Sequence, residues 1–115
     1  MVRRLAAGAA GLLAAAVLAG ALPALAQKPA DIPLVYEKAR WNPDVITVKA
    51  GQPFVLVITN KDKGPEEFDM LQPRIEKVIP AGKTVRLSMP ALKPGKYPFV
   101  GEYHSETAKA TIVAE

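Results

Sequence analysis

Hydrophobic and polar residues alternate along most of the chain in runs of four to seven, and the runs are too short for helices. Val45–Lys49 places Val45, Thr47 and Lys49 on one face and Ile46 and Val48 on the other. Thr84–Met89 alternates in the same way, and Phe54–Thr59 is a continuous apolar, β-branched run expected of a central, doubly covered strand. Further strands are expected over Leu34–Arg40, Glu66–Leu71, Ile75–Ile79, Tyr97–Gly101 and Ala110–Ala114. Prolines at 43, 53, 65, 73, 80 and 90 break the chain every seven to twelve residues, which leaves no room for ordinary helices. Gly51, Gly82 and Pro94-Gly95 mark turns between the runs, and Asn60–Pro65 reads as a polar loop. The pattern predicts an all-β protein: a Greek-key β-sandwich of about eight short strands.

The first residues follow a different pattern. Arg3 and Arg4 precede an apolar Ala/Leu/Gly run to Leu22, and the small-residue triplet Ala24-Leu25-Ala26 follows Pro23. This is the layout of a secretory signal peptide, so residues 1–26 are expected to be removed and Gln27–Glu115 to form one domain of 89 residues. The short lead Gln27–Pro33, with two prolines, is expected to be mobile. Its location would then be periplasmic. Of the net charge of +4, two units belong to Arg3 and Arg4, and the remaining lysines are scattered singly. There is no basic stripe of the kind that binds nucleic acid, which excludes that partner. The chain has no cysteine, so it has neither disulfides nor a thiolate to offer a metal. Apolar residues from Val35, Trp41, Ile46 and Val48 through Leu56, Ile58, Phe68 and Met70 to Val78, Val85, Phe99, Ile112 and Val113 suffice for one core.

Candidate chemistry concentrates in Gly95–Lys109, where the only histidine, His104, follows an aromatic strand and precedes the last one. The stretch resembles the last two strands and ligand loop of the cupredoxin family. Trp41-Asn42-Pro43, Ile46–Pro53, Val57–Asn60, Gly64–Phe68 and Leu92–Tyr97 resemble further segments of that family, in the same order. Gly101–His104 with Thr107-Ala108 is similar to its small periplasmic branch related to iron-uptake proteins. The resemblance implies that Glu66, Gly101, His104 and Lys109 stand where the family's His, Cys, His and Met bind copper. A type 1, blue-copper site requires a thiolate with two imidazoles. Gly101 supplies no ligand, whatever backbone angle it adopts, so no such site is expected and fast electron transfer is excluded.

Two functions remain. The first is weak binding of a divalent metal, copper or iron, by His104 with Glu66, Glu102 and Glu67, a mixed imidazole–carboxylate set suited to borderline ions. Glu66 shares strand parity with Phe68 and Met70, which puts its carboxylate at the rim of the core. By resemblance, the module would assist metal uptake beside a membrane permease or another periplasmic protein. The second is a metal-free structural or protein-interaction domain. Met70 and Met89 are expected in the core rather than as thioether ligands, and Trp41 as a plug between the sheets. No nucleophile–base pair is present, so an enzyme is not expected, and a monomer is.

Overall fold

The structure, a computed structural model, describes residues 28–115; the expected signal peptide lies outside the described residues. Nine strands follow one another: β1 (Ala30–Glu37), β2 (Arg40–Asn42), β3 (Val45–Val48), β4 (Phe54–Asn60), β5 (Glu66–Met70), β6 (Ile75–Ile79), β7 (Thr84–Met89), β8 (Gly95–Gly101) and β9 (Lys109–Ala114). A 3-10 turn, Glu102–His104, links β8 to β9. The strands form two sheets, ordered β2-β1-β4-β7 and β3-β9-β8-β5-β6. Pairs β1–β4 and β3–β9 are parallel, and the others antiparallel. The inner faces of both sheets meet in one apolar cluster that includes Leu34, Leu56 and Ile58 from one sheet and Phe68, Phe99 and Ile112 from the other. The all-β sandwich predicted from the sequence is the observed architecture.

Four local expectations are corrected. The lead segment is not free up to Pro33, because β1 starts at Ala30 and runs parallel to β4, with Pro33 opposite Val57. β2 pairs only with Val35–Glu37, so Pro33 lies where that side of β1 has no neighbour to receive an N–H. The inward parity of β1 also belongs to Leu34 and Tyr36, not to Val35. β4 is central but alternates: Phe54, Leu56, Ile58 and Asn60 are buried while Val55, Val57 and Thr59 are partly exposed. On β6, Ile79 enters the core and Val78 faces out, 44% exposed.

The strand expected over Leu34–Arg40 ends at Glu37 because Lys38 and Ala39 both have φ of 56°. That is the backbone of a two-residue hairpin turn matched to strand twist. Neither residue favours it; the turn is held from outside, by Asp62, whose two carboxylate oxygens accept the Lys38 and Ala39 N–H groups at 2.7 and 2.9 Å. Asp62 is in turn fixed by buried Asn60, whose Oδ1 accepts the Asp62 N–H and whose Nδ2 donates to the carbonyls of Gly64 and Ile79. This network ties the β4–β5 loop to the β1–β2 turn. It thereby sets Tyr36 and Glu66, which flank those two segments, at the same end of the sandwich.

Candidate metal-facing site at the end of the sandwich

Glu66 opens β5, and alternation along the strand turns it inward with Phe68 and Met70. It is fully buried, at 0% exposure. A buried carboxylate is costly unless its lone pairs are satisfied, and here they are. Oε1 accepts the N–H groups of Glu67 at 2.9 Å and of Tyr103 at 2.8 Å. Oε2 lies 2.8 Å from His104 Nδ1, and the buried Tyr36 hydroxyl lies 2.8 Å from the same nitrogen. Burial by itself would raise the Glu66 carboxyl; the hydrogen bonds from Tyr36, the Glu67 N–H, His104 and the Tyr103 N–H outweigh it and hold the group below the ordinary glutamate range. Burial, then the bond to Glu66 and its charge, push the Tyr36 phenol up.

His104 ends the 3-10 turn, and its side chain is 49% exposed. The turn is anchored by the His104 carbonyl, which accepts the N–H groups of Thr107 and Ala108, and by the Gly101 N–H, which donates to the Ala108 carbonyl at 2.7 Å. The ring therefore has its Nδ1 edge against Glu66, while the side chain as a whole stays half-exposed. Trp41 packs behind Tyr36, with ring centroids 5.1 Å apart, and against Phe68 and Phe99. It is the core plug expected from the sequence.

Gly101 explains the arrangement. Its backbone is ordinary extended chain, φ −87° and ψ 114°, so no special conformation requires glycine. Space does: a Cβ there would lie 2.7 Å from Glu66 Oε2, 2.8 Å from Glu66 Cδ and 2.8 Å from the Ala108 Cβ. The Glu66 carboxylate thus fills the volume into which a side chain at 101 would project. A type 1 copper centre does not fit here. The position of its thiolate holds a carboxylate already engaged by three partners, and the chain has no cysteine.

Of the four residues expected to bind metal, the structure brings together two, Glu66 and His104. Glu67 contributes its backbone N–H to Glu66 while its side chain lies on the opposite face of β5. Glu102 is exposed and sits beside Asp69, whose carboxyl group, foremost through a hydrogen bond, pushes the Glu102 carboxyl up. Among the described residues, no three of the His, Asp and Glu side chains are grouped so as to hold a metal ion. Lys109 is also misplaced by the sequence alignment: β9 alternates with Ala110, Ile112 and Ala114 buried, so Lys109 faces out and Ala108 faces Gly101. Met70 and Met89 are in the core, as expected. Tyr36 was not identified from sequence, because the parity of β1 was set from Val35.

Comparison with known proteins agrees with this architecture. The family described as "Cupredoxin-like domain" matches residues 9–114. An uncharacterized protein of Rickettsia prowazekii is 26% identical over 83 residues, covering 72% of this chain and 66% of that protein. The chain thus spans just under two thirds of the length of that curated relative. Among solved structures, auracyanin A, a blue copper protein of Chloroflexus aurantiacus, superposes with a TM-score of 0.67 at 15% identity, over 76% of this chain and all of that one. The metal-binding domain of the Cu(I)-exporting P-type ATPase of Streptococcus pneumoniae superposes with a TM-score of 0.67 at 14% identity, over 77% of this chain and 89% of that one. At these identities the two structures share the fold. With the family match extending over nearly the whole sequence, the chain belongs to the cupredoxin-like domain family.

Proposed function

We propose that this protein is an exported metal-handling module in which the inner copper site of the fold has been replaced by a carboxylate–imidazole pair, leaving His104 as its metal contact. The single observation carrying the reading is the Glu66–His104 contact of 2.8 Å, with the carboxylate buried and the imidazole half-exposed. Metal-binding histidines characteristically lean one ring nitrogen on a carboxylate while the other meets the ion. One imidazole gives a weak site, suited to taking up and passing on a borderline divalent ion rather than retaining it. Copper and iron are the metals of choice: copper because the fold's solved relatives bind it, iron because Gly101–His104 resembles the iron-uptake branch. Export to the periplasm rests on the leader-like pattern of residues 1–26, and the partner would be a membrane permease or another periplasmic protein supplying the remaining ligands. The domain is not an enzyme in this reading and acts as a monomer.

The test is metal content. Protein recovered from the periplasm should have the mass of Gln27–Glu115 and carry copper or iron, at most one equivalent, and the His104→Ala protein should carry none. Metal-free wild type from metal-replete cells would sink the proposal. It would favour the second reading, a metal-free interaction domain, for which the exposed Tyr103 beside His104 offers a contact surface.

A further inference from the structure

The hydrogen-bond pattern around Glu66 fixes where a proton must be. Oε1 accepts two backbone N–H groups, from Glu67 and Tyr103. Of a carboxyl and an imidazole that share one proton, the imidazole is the stronger base, and the two N–H groups on Oε1 further favour the anion, so Glu66 is the carboxylate. Oε2 then has no proton to give. Its 2.8 Å contact with His104 Nδ1 is a hydrogen bond only if Nδ1 is the donor. The Tyr36 hydroxyl oxygen lies 2.8 Å from the same nitrogen and, with the proton on Nδ1, meets it as an acceptor. The opposite assignment would set two lone pairs, on Oε2 and Nδ1, against each other at a fully buried carboxylate.

We infer that Glu66 is a positioning residue: its carboxylate holds the ring proton of His104 on Nδ1 and turns the Nε2 lone pair outward, as the atom that meets a divalent metal ion. The metal ion rests on the function proposed above; the placement of the proton does not. Glu66 is then no ligand. It orients the imidazole and, by its charge, makes Nε2 a better donor. An inward-facing metal, bound at Nδ1, would have to break the bonds that satisfy a buried anion. The site is thus built for an ion approaching from solvent or from a partner.

The chain has one histidine, so its ring nitrogens can be observed without ambiguity. The experiment is nitrogen NMR of the 15N-labelled protein in mildly alkaline buffer, where imidazole is ordinarily neutral. Wild type should show a protonated Nδ1 and an unprotonated Nε2, and Zn(II) should shift Nε2. In Glu66→Gln the amide NH2 cannot face the two backbone N–H donors, so it faces Nδ1 and donates to it. The proton then moves to Nε2, and Zn(II) affinity falls by about 10- to 100-fold. Tyr36→Phe keeps the carboxylate and should keep the wild-type pattern. A wild type or Tyr36→Phe protein protonated at Nε2, a folded Glu66→Gln with unchanged protonation, or a Zn(II) shift at Nδ1 would overturn the inference. If Glu66→Gln does not fold, the wild-type and Tyr36→Phe spectra decide alone. Wild type protonated at Nδ1 but indifferent to Zn(II), Cu(II) and Fe(II) would uphold the positioning role and defeat the metal-handling reading.

Discussion

A methyl group at position 101 would stand 2.7 Å from Glu66 Oε2 and 2.8 Å from the Ala108 Cβ, distances at which atoms must move. Gly101→Ala should therefore destabilise the domain by about 1–3 kcal/mol, the usual cost of overpacking. Part of that cost should vanish in a Glu66→Ala background, where the carboxylate no longer occupies the space. Denaturant unfolding of wild type, both single variants and the double variant measures the coupling; strictly additive effects would mean that Gly101 is not there to admit Glu66. The same carboxylate makes a pH prediction. Its folded-state value lies below the unfolded one, held there by Tyr36, backbone N–H groups and His104 against the opposing effect of burial. Its stabilisation is complete above the ordinary glutamate range and is lost as pH falls through that range and below. Unfolding free energy should decline with acidification more steeply in wild type than in Glu66→Gln, and parallel curves would contradict the assignment. At this scale the sequence was half legible. Strand parity with Phe68 and Met70 turned Glu66 inward, and the glycine opposite was visible. What the glycine made room for was not, because a missing side chain looks the same whether it frees the backbone or clears a volume.

The elements were legible where alternation was strict and illegible where a tertiary contact set the backbone. β7 has the predicted boundaries because its alternation and flanking turns agree, and β6 has them because turns flank it on both sides. The break at Lys38-Ala39 carries no turn residue, since its positive φ depends on Asp62, more than twenty residues away. Ala39→Gly should relieve the left-handed backbone and raise stability by about 1 kcal/mol. Asp62→Ala, which leaves two N–H groups unpaired, should lower it by about 1–2 kcal/mol. Thermal unfolding of both variants checks the pair, and a destabilising Ala39→Gly would mean the turn is not strained. In β9 the error was one of register. Counting along the family pattern reaches Lys109, but the short connection through the 3-10 turn delivers Ala108 to the inside. Lys109→Met should change stability by no more than about 0.5 kcal/mol. Ala108→Met, forced into the space beside Gly101 and Glu66, should cost about 1–3 kcal/mol.

For the whole molecule, short strands between regularly spaced prolines were enough to predict a sandwich, and the order of its motifs enough to suggest the family. The content of the site was not, since a fold does not carry its function with it. The inner faces of the scaffold form one apolar cluster, and the end of the sandwich at His104 is closed by a polar network of Tyr36, Glu66 and His104. In the function proposed, the outward edge of one imidazole is what meets the metal ion. The most direct test of the account is a Cu(II) titration of the folded domain, followed by calorimetry and optical absorption on wild type and His104→Ala in parallel. The account predicts a single weak site in wild type, without the intense thiolate absorption of a blue-copper centre, and no site in His104→Ala. Equal copper uptake by the two proteins would contradict it.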